Sequence, residues 1–126
     1  MRIILIISTL LVLSFMSCKD SMPPPFSVLT PVEMKDLRKA HPDLILLDVR
    51  TPQEVAAGKI DGALELDFRD QEFRTKLQEL DKEAIYGVYC KKGGRSAGAA
   101  EIMQELGFKQ VYDLEGGYDA WIQMSQ

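Results

Sequence analysis

The stretch AIYGVYCKKGGRSAGAAEIMQEL, residues 84–106, changes character twice. From Ala84 to Cys90 it is an apolar run of strand length with no polar alternate positions, as a strand covered on both faces requires. KKGGR follows at residues 91–95, and the small and apolar residues from Ser96 to Leu106 predict a helix ended by Gly107. A buried strand, a glycine-rich loop and a helix make up the first half of a parallel strand–helix–strand unit.

The same alternation extends to both sides. Upstream, Thr30-Pro31-Val32-Glu33 supplies a capping hydroxyl, a first-turn proline and a glutamate three residues after the cap, predicting a helix to about Ala40. LILLDV, residues 44–49, is a second fully apolar strand, and Thr51-Pro52-Gln53-Glu54 repeats the capping pattern for a short helix that Gly58 closes. A brief strand is expected at Ala63–Leu66, and a helix at Gln71–Leu80 with Phe73, Leu77 and Leu80 on one face. Downstream come a strand at Gln110–Leu114, a turn at Gly116-Gly117 and a last helix at Tyr118–Met124, where Tyr118 and Trp121 are expected to pack on the core. Strands alternating with helices throughout point to an α/β domain with a mainly parallel sheet.

Parallel sheets bind ligands beyond the carboxyl ends of their strands, and Cys90 stands at such an end. Gly93 and Gly94 permit the backbone conformations that aim successive N–H groups inward as an anion-binding nest. The helix N-terminus adds partial positive charge, and Lys91, Lys92 and Arg95 add full charges. All of this favours the thiolate, which is the nucleophilic form of cysteine, and would equally stabilise a persulfide anion on Cys90.

A chain of 126 residues has room for one domain, and its 27% charged and 46% hydrophobic content is that of a folded one. A net charge of −4 argues against a nucleic-acid partner, so the basic loop suits a small anion. His41, the only histidine, follows a helix end beside Pro42, and no histidine or cysteine cluster suits zinc. No metal or cofactor is implied.

Residues 1–17 read as a signal peptide, because Arg2 precedes an apolar run too short to span a membrane. The run resembles a bacterial lipoprotein signal, with Ser17 before a lipid-accepting Cys18, although Phe15 and Met16 depart from that pattern. A plain signal peptide or an uncleaved anchor is the alternative. Cleavage removes Arg2 and no acid, taking the charge from −4 to −5. Residues 18–27 then form a proline-rich tether to a domain at 28–126. With Cys18 lipidated, Cys90 is an odd thiol in an oxidising compartment, a reactive candidate. Lys19 after Cys18 favours a lipid anchor in the outer membrane facing the periplasm; a soluble periplasmic protein is the alternative.

The segments LLDVRTPQEVAAGKIDGALEL (46–66) and VYCKKGGRSAGAAEIMQELGFKQVYDLEGGYDAW (88–121) together resemble the single-domain rhodaneses. They are similar to that family's D-V-R-x-x-x-E and G-x-I-x-G-A patterns, its C-x-x-G-x-R loop and its G-G-x-x-A-W ending, across roughly residues 28–124. The resemblance implies a five-stranded, mainly parallel sheet flanked by helices on both faces. It also implies a monomeric sulfurtransferase in which Cys90 takes sulfur from a small anionic donor such as thiosulfate and passes it to a thiol or cyanide. Lys91, Lys92, Gly93, Gly94, Arg95 and Ser96 would cradle the sulfur anion. Asp48 and Arg50 would support the architecture, and Glu54 would hold that motif together. The chain departs from the family at Lys59-Ile60-Asp61-Gly62-Ala63, where a histidine and a proline are often found, which leaves the donor preference open.

Two rivals follow. A phosphatase of this fold needs five residues between cysteine and arginine, and here four separate Cys90 from Arg95. A non-catalytic or partner-specific carrier module of the envelope is the other, although inactive family members typically lack the cysteine that this chain keeps.

Overall fold

The computed structural model describes residues 21–126, so the signal segment 1–17 and Cys18 lie outside the described residues. Five strands, β1 (Val28–Leu29), β2 (Ile45–Asp48), β3 (Leu64–Glu65), β4 (Ile85–Tyr89) and β5 (Gln110–Leu114), form one sheet in the order β1-β5-β4-β2-β3. Every pairing is parallel. The helices are α1 (Pro31–Ala40), α2 (Pro52–Ala56), α3 (Phe73–Gln78), α4 (Gly94–Glu105) and α5 (Gly117–Met124).

The uninterrupted apolar run of β4 is explained by its two faces. Tyr86, Val88 and Cys90 join Leu47, Val49 and Val111 under Phe73 and Leu77 of α3 and Ala99 and Met103 of α4. Tyr89, one residue out of phase, points the other way with Leu46, Tyr112 and Leu114, beneath Met34 and Leu37 of α1 and the flanking Tyr118 and Trp121 of α5. Alternate residues thus enter two separate cores, and neither face tolerates a polar series.

Both capping boxes form as the sequence predicts. Thr30 Oγ1 accepts the Glu33 N–H while the Glu33 carboxylate accepts the Thr30 N–H, and Thr51 and Glu54 repeat the exchange. Some boundaries differ from expectation. α3 is shorter than Gln71–Leu80, β3 is confined to two exposed residues, and α4 starts at Gly94 rather than Ser96. The last difference matters because it places Arg95 and Ser96 inside the first turn. β1, two residues long, carries no periodicity and is not read from the residues themselves. The residues before it lie against the domain: the Phe26 N–H donates to the Val111 carbonyl at 2.8 Å, and the Tyr112 hydroxyl to the Pro23 carbonyl at 2.9 Å.

Candidate active site

Cys90 follows the last residue of β4 and is 2% exposed. The chain then turns through Lys91 and Lys92 to Gly93, whose φ of +118° is a conformation open mainly to glycine. That turn brings the Gly93 N–H back onto the Cys90 sulfur, donating to Sγ at 3.0 Å. Ser96, one turn into α4, sets its hydroxyl 3.5 Å from Sγ and 3.1 Å from the Gly93 carbonyl. The sulfur therefore sits at the head of α4, among donors that would otherwise be unsatisfied.

Burial pushes the Cys90 thiol up, but the Ser96 hydroxyl and the backbone N–H groups of Ser96, Gly93 and Lys92 pull it down. The donors win, and the thiol ionises below the ordinary cysteine range.

The loop is held from below by α5. The Tyr118 N–H donates to the Cys90 carbonyl at 2.8 Å, and the Asp119 N–H to the Lys91 carbonyl at 3.1 Å. Gly117 makes this approach possible: a Cβ there would lie 2.5 Å from the Cys90 carbonyl oxygen and 2.6 Å from the Lys91 carbonyl, and its φ is +61°. The Gly116-Gly117 turn thus docks on the backbone of the nucleophile itself.

Two of the three loop cations expected to add full charges are paired with carboxylates. Arg95 turns to Glu54, forming two bonds of 2.7 Å, and Lys91 lies 3.4 Å from Asp119. Arg95 holds the Glu54 carboxyl well below the usual range despite partial burial. Of the three loop cations, Lys92 alone has no carboxylate partner among the described residues. The cradle thus relies on backbone N–H groups more than on side-chain charge, and Arg95 ties α4 to α2.

Asp48 and Arg50 form a buried pair away from the sulfur, 0% and 3% exposed, with bonds of 2.7 and 2.9 Å. Arg50 also donates to the Gly58 carbonyl at 2.7 Å, and its guanidinium lies 4.2 Å from the centre of the Tyr118 ring. The pair welds the end of β2 to the loop after α2 and to α5, a supporting role. Tyr118 therefore does more than fill core: it covers Arg50 and stacks beside Tyr89.

One residue near the site was missed. Asp113 of β5 is 8% exposed, its Oδ1 has no hydrogen-bond partner among the described residues, and burial pushes its carboxyl up. Its inward orientation is visible only as an in-phase position with Val111 in a strand whose partners were unknown.

The sequence profile of the Rhodanese-like domain family matches residues 30–124. A protein of Allochromatium vinosum named a sulfurtransferase is 37% identical over 79 residues, spanning 63% of this chain and 72% of its own. The putative sulfurtransferase YtwF of Bacillus subtilis is 38% identical over 88 residues, spanning 70% of this chain and 82% of its own. The crystal structure of a rhodanese-related protein from Thermoplasma volcanium superposes with a TM-score of 0.69 at 30% identity, covering 79% of this chain and 93% of that one. On the strength of its parallel sheet, its cysteine loop and this match across the domain, the chain belongs to the rhodanese-like domain family.

Proposed function

We propose that this protein is a sulfurtransferase working through a persulfide on Cys90. The thiolate attacks the outer sulfur of thiosulfate, a new S–S bond forms as the old one breaks, and sulfite leaves with the bonding pair. In the second half, cyanide or a thiolate attacks the outer sulfur of the persulfide and the Cys90 thiolate departs. No oxidant or reductant is consumed. The persulfide anion extends the same charge by one atom, toward the N–H groups of Lys92, Gly93 and Ser96.

The observation that carries the reading is the short Gly93 N–H contact to Sγ at 3.0 Å, made at the head of α4 by a loop with four residues between Cys90 and Arg95. A ring this tight suits a single added sulfur rather than a tetrahedral phosphate. We further propose that the domain works as a monomer in the bacterial envelope, lipid-anchored through Cys18 and facing the periplasm from the outer membrane. The lipoprotein-like signal supports that placement, and the mass of the membrane-extracted mature chain, compared with Cys18→Ala, tests it.

The test of the chemistry is single-turnover loading. Purified full-length protein is incubated with thiosulfate and weighed intact. A gain of one sulfur, lost on adding cyanide and absent in Cys90→Ser, is expected. A folded, reduced protein that gains no sulfur from thiosulfate or another sulfane donor overturns the proposal and favours a binding module.

A further inference from the structure

Between α4 and the β1 edge of the sheet lies a hollow of 220 Å³ that no residue of the 90–96 cradle lines. Phe26 and Val28 wall one side, and Ala97 and Ala100 of α4 wall the other. These alanines are three residues apart, so they share a helix face and leave the space between helix and sheet unfilled. Asp113 of β5 reaches the hollow from the sheet, paired in register with Val28 on one side and Val88 on the other.

Asp113 is 8% exposed, and its Oδ1 is buried without a hydrogen-bond partner among the described residues. A native carboxyl oxygen left this way is uncommon and calls for a reason. No cation lines the hollow. Its only other charged residue is Glu101, a second acid, exposed like the neighbouring Gln104. A recessed carboxylate, apolar walls and an acid and an amide at the mouth describe a receptor waiting for a positive group.

From this arrangement we infer that the hollow is a binding site for a primary alkylammonium group, with Asp113 as its anionic floor. An ammonium is compact and carries three donors, enough for the Asp113 carboxylate and for oxygens of Glu101 and Gln104. The methylene stem behind it lies along Phe26, Val28 and the two alanines, as long amines do on apolar surface. A guanidinium fork needs both carboxylate oxygens abreast, which suits a recessed carboxyl less well. A divalent metal needs more ligands, and no three histidine, cysteine or acidic side chains are grouped for one among the described residues. The net charge of −4 draws cations toward the chain.

The site needs no sulfur donor, so this inference and the sulfurtransferase reading fail separately. The probe is n-butylammonium chloride, titrated into full-length protein at an ionic strength held constant with sodium chloride. Binding is followed by the carbon-13 shift of the Asp113 carboxyl and the amide shifts of Val28 and Ala97. Saturable binding with a dissociation constant of about 10 mM or tighter is expected, while n-butanol leaves these signals in place. Asp113→Asn should weaken binding at least about tenfold. Ala97→Leu, at an exposed helix position, should fill the hollow and block binding with Asp113 intact.

A further arm does not depend on any variant folding. The Asp113 carboxyl midpoint is measured with and without amine at ten times its dissociation constant. A cation beside the carboxylate favours the ionised form, so the midpoint should fall by about one pH unit. Lysine blocked at both backbone ends separates the two sources of this group. If it binds as butylammonium does, a partner protein's lysine side chain fits the site; if it is excluded, the site takes free amines. No saturable shift with butylammonium, equal shifts with butanol, or equal carboxyl midpoints overturn the inference.

Discussion

Replacing Glu54 by glutamine separates two jobs that Arg95 performs. In the native protein the carboxylate and guanidinium are joined by two bonds of 2.7 Å, linking α2 to α4 across 41 residues of sequence. The side chains are 27% and 19% exposed, between the surface and buried limits. Surface pairs contribute under about 1 kcal/mol and breaking buried ones costs about 3–5, so a coupling energy near 2 kcal/mol is expected. Glutamine keeps an oxygen for the Thr51 N–H, so the helix cap survives and the loss is confined to the ion pair. The assay is a double-mutant cycle with Arg95→Met, by urea unfolding at pH 7 and at acid pH. Glu54 ionises lower in the folded state than in the unfolded, so its contribution is present above the unfolded carboxyl range of about pH 4.3. It is lost as pH falls through the depressed folded value, and at pH 3.5 about 1 kcal/mol should already be gone. Arg95 also feels the Cys90 charge, so unpairing it in Glu54→Gln should lower the thiol pKa while stability falls. A coupling below about 0.5 kcal/mol, or a thiol pKa that rises, refutes the reasoning.

Asp48→Ala strands the buried Arg50 cation and should cost about 3–5 kcal/mol in urea unfolding, while sulfur loading per folded molecule stays near the native level. Gly117→Ala drives a methyl into the Cys90 and Lys91 carbonyls from a left-handed backbone; we expect a loss above about 2 kcal/mol and a marked fall in single-turnover loading. Iodoacetamide should alkylate Cys90 with its main midpoint below that of an unperturbed cysteine, and Ser96→Ala should move that midpoint up, since a donor to the thiolate is lost. A main midpoint at or above the free-cysteine value would contradict the donor geometry around Sγ.

Much of this protein was determined locally. Thr30 with Glu33 and Thr51 with Glu54 define two helix starts within four residues each, because a capping box is a short-range exchange of hydrogen bonds. The apolar runs at 44–49 and 84–90 declared strands buried on both sides, and the cysteine, glycines and serine of residues 90–96 placed a thiol in a nest of N–H groups. The tertiary structure decided what acts over distance. Sequence shows that Arg95 is a cation but not that Glu54 neutralises it, since that depends on how α2 lies beside α4. It shows Gly117 as a turn residue, but the carbonyls its missing side chain admits belong to a loop 26 residues earlier. Asp113 has the same composition signal as any strand-end acid; only the register of β5 beside β4 turns it to the covered α4 side of the sheet. Local propensity is written in neighbouring residues, whereas charge pairing and proton affinity depend on which strangers in sequence share a dry space.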